Sequence, residues 1–209
     1  MRVPKHIGII PDGNRRYAQK EGLEKNEGYA HGLDPGVGAV RVAKEVGIEE
    51  VTFYGFTTDN CRRPAVQVQA FQAACIKAVE LTLAEGDVEI LVVGDSESKF
   101  FPDALRKYLS PHAVGKPKVR VNFLVNYGWK WDLRGIDGGH VLRDLRSSGI
   151  SRMDLIVRWG GMRRLSGFLP VQSVYADFYV VDALWPNYRD AHIKEALAWY
   201  QKQDVTLGG

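Results

Sequence analysis

The chain has 209 residues, 45% of them hydrophobic, with a formal net charge of +3 and two cysteines. That is enough chain for one sizeable core and one domain, too little net charge to argue for nucleic acid, and too few cysteines for a disulfide framework. No apolar run reaches the ~20 residues of a membrane-spanning helix and no signal-peptide-like segment opens the sequence. A reducing cytoplasm is therefore expected for Cys61 and Cys75, with a lipid substrate or a peripheral membrane contact left open.

Residues 5–10 are a short isoleucine-rich run that reads as a buried strand, ended by Pro11, which has no N–H for a ladder. Asp12-Gly13-Asn14 follows as a turn, with Asn14 a candidate cap, and 15–22 as a short helix. Residues 22–34 read as a loop carrying Lys25, Tyr29 and His31. Residues 35–46 have apolar residues at helical spacing, closed by Gly47. A second strand is expected at 51–57. The long helix 64–84 follows, with Val68, Phe71, Cys75 and Ala78 on one stripe. Then come a strand at 88–93, a helix at 100–108, a strand at 118–126, a short helix at 139–146, strands at 153–157 and 175–181, and a final helix at 190–203.

Strands alternating with helices predict a single α/β domain, a mostly parallel six-stranded sheet with helices on both faces. Such sheets bind ligands beyond the carboxyl ends of their strands. The polar clusters at 12–16, 57–63, 126–132 and 158–166 all follow strands, so parallel strands gather them on one edge. That edge would carry Arg15, Arg16, Lys25, Arg62, Arg63, Arg158, Arg163 and Arg164 against mainly Asp12, Asp59 and Asp177. Guanidinium forks suit phosphate oxygens, and so many against so few carboxylates point to one or two diphosphates. Asp12 could carry Mg²⁺. The opening unit fits equally a capped strand–turn–helix with solvated arginines. His31 falls near the same edge. No P-loop, dinucleotide fingerprint, zinc-protease or serine-hydrolase signature occurs. Apolar strand faces and helix 64–84 could wall a hydrophobic tunnel, although core packing accounts for the same residues.

Four ordered segments carry a resemblance. They are His6-Ile7-Gly8-Ile9-Ile10-Pro11-Asp12-Gly13-Asn14-Arg15-Arg16-Tyr17-Ala18, Tyr54-Gly55-Phe56-Thr57-Thr58-Asp59-Asn60-Cys61-Arg62-Arg63-Pro64, Asn126-Tyr127-Gly128, and Asp154-Leu155-Ile156-Val157-Arg158 through Trp185-Pro186. Together they resemble the cis-prenyltransferases, the family of undecaprenyl diphosphate synthase. The resemblance implies Mg²⁺-assisted loss of an allylic diphosphate, attack by isopentenyl diphosphate, and proton elimination to a cis double bond, usually in a homodimer. By it, Asp12 and Asp177 stand at the metal-associated carboxylates, and Asn14 at a position concerned with the lost proton. Gly13, Arg16, Lys25 and Arg63 match the allylic diphosphate site, and Arg158, Arg164 and Ser166 the isopentenyl diphosphate site. Arg15, Tyr29, His31 and Asn60 complete the expected substrate-binding set, Tyr29 standing where histidine is usual.

The chain also departs from the pattern. Met162 and Asp177 replace glutamates, Cys61 an aromatic residue and Gln67 a carboxylate. Segment 134–151 is shorter than in long-chain members, and 205–209 lacks the family's arginine. These departures direct the expectation to a short product, with Trp129 filling tunnel volume and the shortened segment removing wall. Branched coupling of prenyl units and a non-catalytic accessory subunit are the alternatives. The retained Asp12, Arg16, Arg63, Arg158 and Arg164 favour an enzyme.

Overall fold

Residues His6–Ile10 form β1, buried along its whole length. In the computed structural model, which describes residues 2–136 and 140–203, β1 pairs in parallel with β2 (Glu50–Tyr54) on one side and β6 (Leu155–Trp159) on the other. With β3 (Val88–Val93), β4 (His112–Val114), β5 (Val119–Leu124) and β7 (Asp177–Val181) the order is β4-β3-β5-β2-β1-β6-β7. Only the β3–β4 pairing is antiparallel. The near-continuous Val/Ile/Leu runs of β1, β3 and β6 are what a parallel sheet covered on both faces requires. The sheet has one strand more than the six expected. β4 is a three-residue edge strand between Pro111 and Gly115, too short and too exposed to leave a pattern.

The long helices lie on one face. α1 (Asn14–Lys20) follows β1 directly. α2 (Leu33–Val46) buries Val37, Val40 and Ala43 and stops at Gly47, whose φ of 80° is left-handed. α3 (Ala65–Ala84) starts after Pro64 and buries Val68, Cys75, Val79 and Thr82. With α6 (Asp190–Tyr200), α2 and α3 cover the larger core, to which Phe53, Val121 and Phe123 contribute from the sheet. The opposite face has a smaller core of Leu124, Ile156, Phe168 and Leu169, covered by loops and the single-turn α4 (Trp129–Asp132), whose Trp131 packs on it.

Two expected elements differ in kind. The helix expected over 100–108 is a 3-10 turn, Asp103–Tyr108. The loop expected at 22–34 contains a 3-10 turn, Glu27–Gly32, and α2 already begins at Leu33. That turn packs Gly28 against the Asn14 carbonyl, where a Cβ would not fit, and so buries Tyr29. The short helix expected at 139–146 is α5 (Val141–Asp144), residue 139 lying outside the described residues, as does segment 205–209. Among the described residues no helix is long and apolar enough to cross a membrane.

The chain leaves β1 for β2 on one side and later reaches β6 on the other. The strand order therefore reverses at the crevice between the carboxyl ends of β1 and β6, where open α/β sheets bind ligands.

Candidate active site

Asp12 stands at that crevice. Pro11 ends the ladder, and Gly13 takes a φ of 111° in which a side chain is strained and would meet Leu184 at 2.8 Å. Gly13 thus starts α1, and Asn14 makes no cap. Its Nδ2 donates to the Pro11 carbonyl at 3.2 Å, while Oδ1 is buried without a hydrogen-bond partner among the described residues.

From β6, Arg158 reaches back to Asp12. It is 4% exposed, and Nη2 donates to Asp12 Oδ2 at 2.8 Å. Nη1 donates to the Arg164 carbonyl and to Ser166 Oγ, the latter at 3.0 Å. A guanidinium this buried needs such partners, because a lone charge there is costly. Arg16 Nη1 donates to the Gly160 carbonyl at 2.9 Å, and its Nη2 lies 3.3 Å from Asp12 Oδ1. The Asp12 carboxylate therefore sits between two guanidiniums.

The loop after β6 is held in an unusual path. Gly160, Gly161, Ser166, Gly167 and Leu169 all have positive φ. Tyr54, the last residue of β2, ties this loop down. Its hydroxyl donates to the Ser166 carbonyl at 2.8 Å and its ring lies 5.0 Å from Phe168. Burial raises the Tyr54 phenol well above its ordinary value, with Asp59 adding to the rise and Arg158 opposing it, so the group stays a donor at neutral pH. On the other wall, Asn60 Oδ1 accepts from the Thr57 N–H at 3.0 Å, fixing the 3-10 turn Thr58–Arg62 that precedes Arg63.

These residues enclose a polar cavity of about 430 Å³. Asp12, Gly13, Asn14, Arg15, Arg16, Lys25, Tyr29, Asn60, Arg63, Arg158, Arg164 and Ser166 all line it, so the edge inferred from the sequence is assembled. An apolar cavity of about 80 Å³ adjoins it, between the sheet and helices α2 and α3, walled by Val37, Phe53, Ala78, Phe123 and Trp185. This is the expected hydrophobic cleft, on the face that carries the larger core.

Other expected residues lie elsewhere. His31 is exposed, its ring 5.2 Å from that of Tyr17, and lines neither cavity, because the 3-10 turn that buries Tyr29 carries it outward. Arg62 and Arg163 are likewise exposed and outside both. Asp177 is at the amino end of β7, opposite Leu155, three positions and so roughly 10 Å short of Arg158 along the strand. It pairs with Arg2 at 3.4 Å, and burial raises its carboxyl above the ordinary value, Arg2 opposing. Within one chain Asp177 and Asp12 are therefore not brought together. Trp129 is 43% exposed and lies against Gly167, on the opposite face of the sheet from the apolar cavity. It does not fill the cleft, nor does segment 140–151 wall it, since Ile150 belongs to the smaller core.

Among the described residues no three His, Cys, Asp or Glu are grouped as a metal site. A hard divalent cation at a phosphate site is commonly held by one or two carboxylates together with substrate phosphates and water. Asp12, in the polar cavity with 30% of its side chain exposed, fits that donor set.

Tyr54, Phe71 and Met162, which are not among the expected site residues, also line the polar cavity. Met162 lies inside the polar cluster at 158–166, and Tyr54 precedes the one at 57–63. Phe71 sits on the apolar stripe of α3, where a wall residue and a core residue look alike.

Fold and site together define an α/β protein with a cationic, phosphate-suited cradle opening onto an apolar cleft. The family model described as "putative undecaprenyl diphosphate synthase" matches residues 10–208. An isoprenyl transferase of Nitrosomonas europaea is 32% identical, over 99% of this chain and 86% of its own length. A ditrans,polycis-undecaprenyl-diphosphate synthase of Pseudomonas aeruginosa is 30% identical, over 99% and 91%. The fold is shared with lavandulyl diphosphate synthase from Lavandula x intermedia, solved with dimethylallyl diphosphate, at a TM-score of 0.85 and 22% identity, covering 99% of this chain and 98% of that one. The chain belongs to the undecaprenyl diphosphate synthase family and is a prenyltransferase.

Proposed function

We propose that the chain condenses an allylic diphosphate with isopentenyl diphosphate to a short cis-prenyl diphosphate. The observation that carries this is the junction of the two cavities, a polar cradle lined by Arg15, Arg16, Lys25, Arg63, Arg158 and Arg164 and an apolar cleft of about 80 Å³ directly behind it. The cradle suits diphosphates and the cleft suits a prenyl tail. Gly13, Arg16, Lys25 and Arg63 hold the allylic diphosphate, Arg15 and Asn60 shaping the same wall. Arg158, Arg164 and Ser166 hold the homoallylic one.

In the reaction the allylic C–O bond breaks and diphosphate departs. The double-bond electrons of isopentenyl diphosphate form the new C–C bond, and the carbon next to the resulting cation loses a proton to an oxygen of the released diphosphate. Mg²⁺ held by Asp12 and the substrate phosphates would neutralise charge on the departing group. Arg16 and Arg158 hold the Asp12 carboxylate in the cradle and add cationic charge beside the same oxygens. Asn14 Oδ1, buried and without a hydrogen-bond partner among the described residues where the cavities meet, orients the proton that is lost. The free Cys61 and Cys75 suit a reducing cytoplasm, and the half-buried edge strand β7 suits a second copy of the chain in a homodimer.

Labelled isopentenyl diphosphate, incubated with Mg²⁺ and primers of five, ten and fifteen carbons, tests the reading through the length and linkage of the products. The small cleft also favours a second reading, branched coupling of two five-carbon allylic units. Turnover of dimethylallyl diphosphate alone, without isopentenyl diphosphate, would select it. No turnover in either arm would overturn both.

A further inference from the structure

The polar and apolar cavities meet at a waist. Pro11, Asn14 and Gly55, just past the ends of β1 and β2, form one side, Tyr29 and Phe71 the other, and these residues line both cavities. Tyr29 and Phe71 lie ring on ring, with centroids 4.5 Å apart and planes 7° from parallel. The pair is fixed from several directions. Fully buried Phe56 meets Phe71 edge-on at 5.4 Å. Arg63 Nη1 donates to the Tyr29 hydroxyl at 2.9 Å, and the Arg63 guanidinium carbon lies 5.8 Å from the centroid of Phe71. Tyr29 itself is only 5% exposed. Two rings clamped in this way do not swing aside without breaking packing on both sides. Beyond them the cleft holds about 80 Å³, against the ~150 Å³ of an engineered cavity that accepts benzene.

We propose that the Tyr29–Phe71 stack is a specificity gate, which sets how much of a prenyl tail passes from the diphosphate cradle into the cleft and admits about one five-carbon unit beyond it, the unit next to the diphosphate staying in the cradle. The proposal rests on reading the cradle as an allylic diphosphate site. Arg63 lines that cradle and also latches Tyr29, so one guanidinium serves both the anion and the gate.

Calorimetric titration tests the gate without turnover. The probes are inorganic diphosphate and prenyl thiolodiphosphates of five, ten and fifteen carbons, whose bridging sulfur resists ionisation. Each prenyl affinity is divided by the same variant's affinity for inorganic diphosphate. In the wild type this ratio is expected to rise to ten carbons and to fall at fifteen. Phe71→Ala should raise the fifteen-to-five-carbon ratio at least tenfold. Phe71→Leu, which keeps apolar bulk but cannot stack, should move it the same way by less, and it serves if the alanine variant fails to fold. An unchanged ratio in a variant that still binds inorganic diphosphate overturns the gate. A wild-type chain that does not bind inorganic diphosphate overturns the reading of the cradle, and the gate falls with it.

Discussion

Asp12 is held by two arginines whose geometry would be lost if the carboxylate were cut back to a methyl group, so the informative change is Asp12→Asn. The amide oxygen still accepts from Arg158, but the negative charge is gone. If Asp12 holds the metal against the departing diphosphate, its loss should cost several kcal/mol of transition-state stabilisation, about a thousandfold in kcat, with the melting temperature shifted by only a few degrees. A kcat close to wild type would remove Asp12 from the chemistry. Arg164 offers a different test. Its carbonyl positions Arg158, while its side chain is exposed, lines the cradle and makes no hydrogen bond among the described residues. Arg164→Ala should therefore weaken isopentenyl diphosphate by about 1.5–3 kcal/mol, the range of a charged hydrogen bond, and the allylic substrate much less. Equal weakening of both would show that the two diphosphate sites are assigned to the wrong walls.

Elements decide which residues the sequence could reveal. The cradle was legible because parallel strands deliver their carboxyl ends to one edge, and because the strand-ending Pro11, the Thr57–Arg63 run and Arg158 mark those ends in the chain. Asp177 and Trp129 were not, for a common reason. Each adjoins an element whose end or face the pattern leaves open, the amino end of β7 in one case and the far face under α4 in the other. Tyr54 shows the converse, a cavity-lining residue hidden in an apolar strand. Its single hydrogen bond to Ser166 is worth about 0.5–1.5 kcal/mol, so Tyr54→Phe should raise the KM for isopentenyl diphosphate roughly 2–10-fold, with kcat little changed. An unaltered KM would mean that Arg158 alone fixes the loop. At the opposite end of the sheet, His6 on β1 is buried with Nε2 2.8 Å from Thr52 Oγ1 on β2. Burial holds its pKa below the ordinary 6.5, with Glu50, the backbone carbonyls of Arg152 and Ser151, and Asp154 opposing. The unfolded chain thus binds a proton that the folded chain refuses. Stability is complete above about pH 6.5 and is lost as pH falls toward the lower folded value, by at most about 1.4 kcal/mol per pH unit. Melting curves from pH 8 to 5 should therefore fall more steeply for the wild type than for His6→Gln, and parallel curves would clear His6 of this role.

For the whole molecule, the division of the sheet into two unequal faces underlies the short product proposed above. The long helices and the apolar cleft share one face, and the loops, α4 and Trp129 share the other. A growing chain adds five carbons per cycle, and each buried CH₂ gains about 0.8 kcal/mol only while there is room for it. The sheet-side wall of the cleft is aromatic and tightly packed. Phe53 and Phe123 stack at 5.4 Å, Trp185 meets Phe53 edge-on at 6.5 Å, and its Nε1 is anchored to the Gly32 carbonyl at 2.8 Å. Forcing even one further methylene into such packing costs about 1–3 kcal/mol, more than the ~0.8 kcal/mol its burial would gain. With excess isopentenyl diphosphate, the dephosphorylated wild-type products should therefore chromatograph as one or two additions to the primer. Trp129→Ala should leave that distribution unchanged, because the indole stands across the sheet from the cleft. A dominant product of about ten or more units would show that this aromatic wall gives way during growth. Longer products from Trp129→Ala alone would show that the tail runs beneath α4, over the smaller core, and not between α2 and α3.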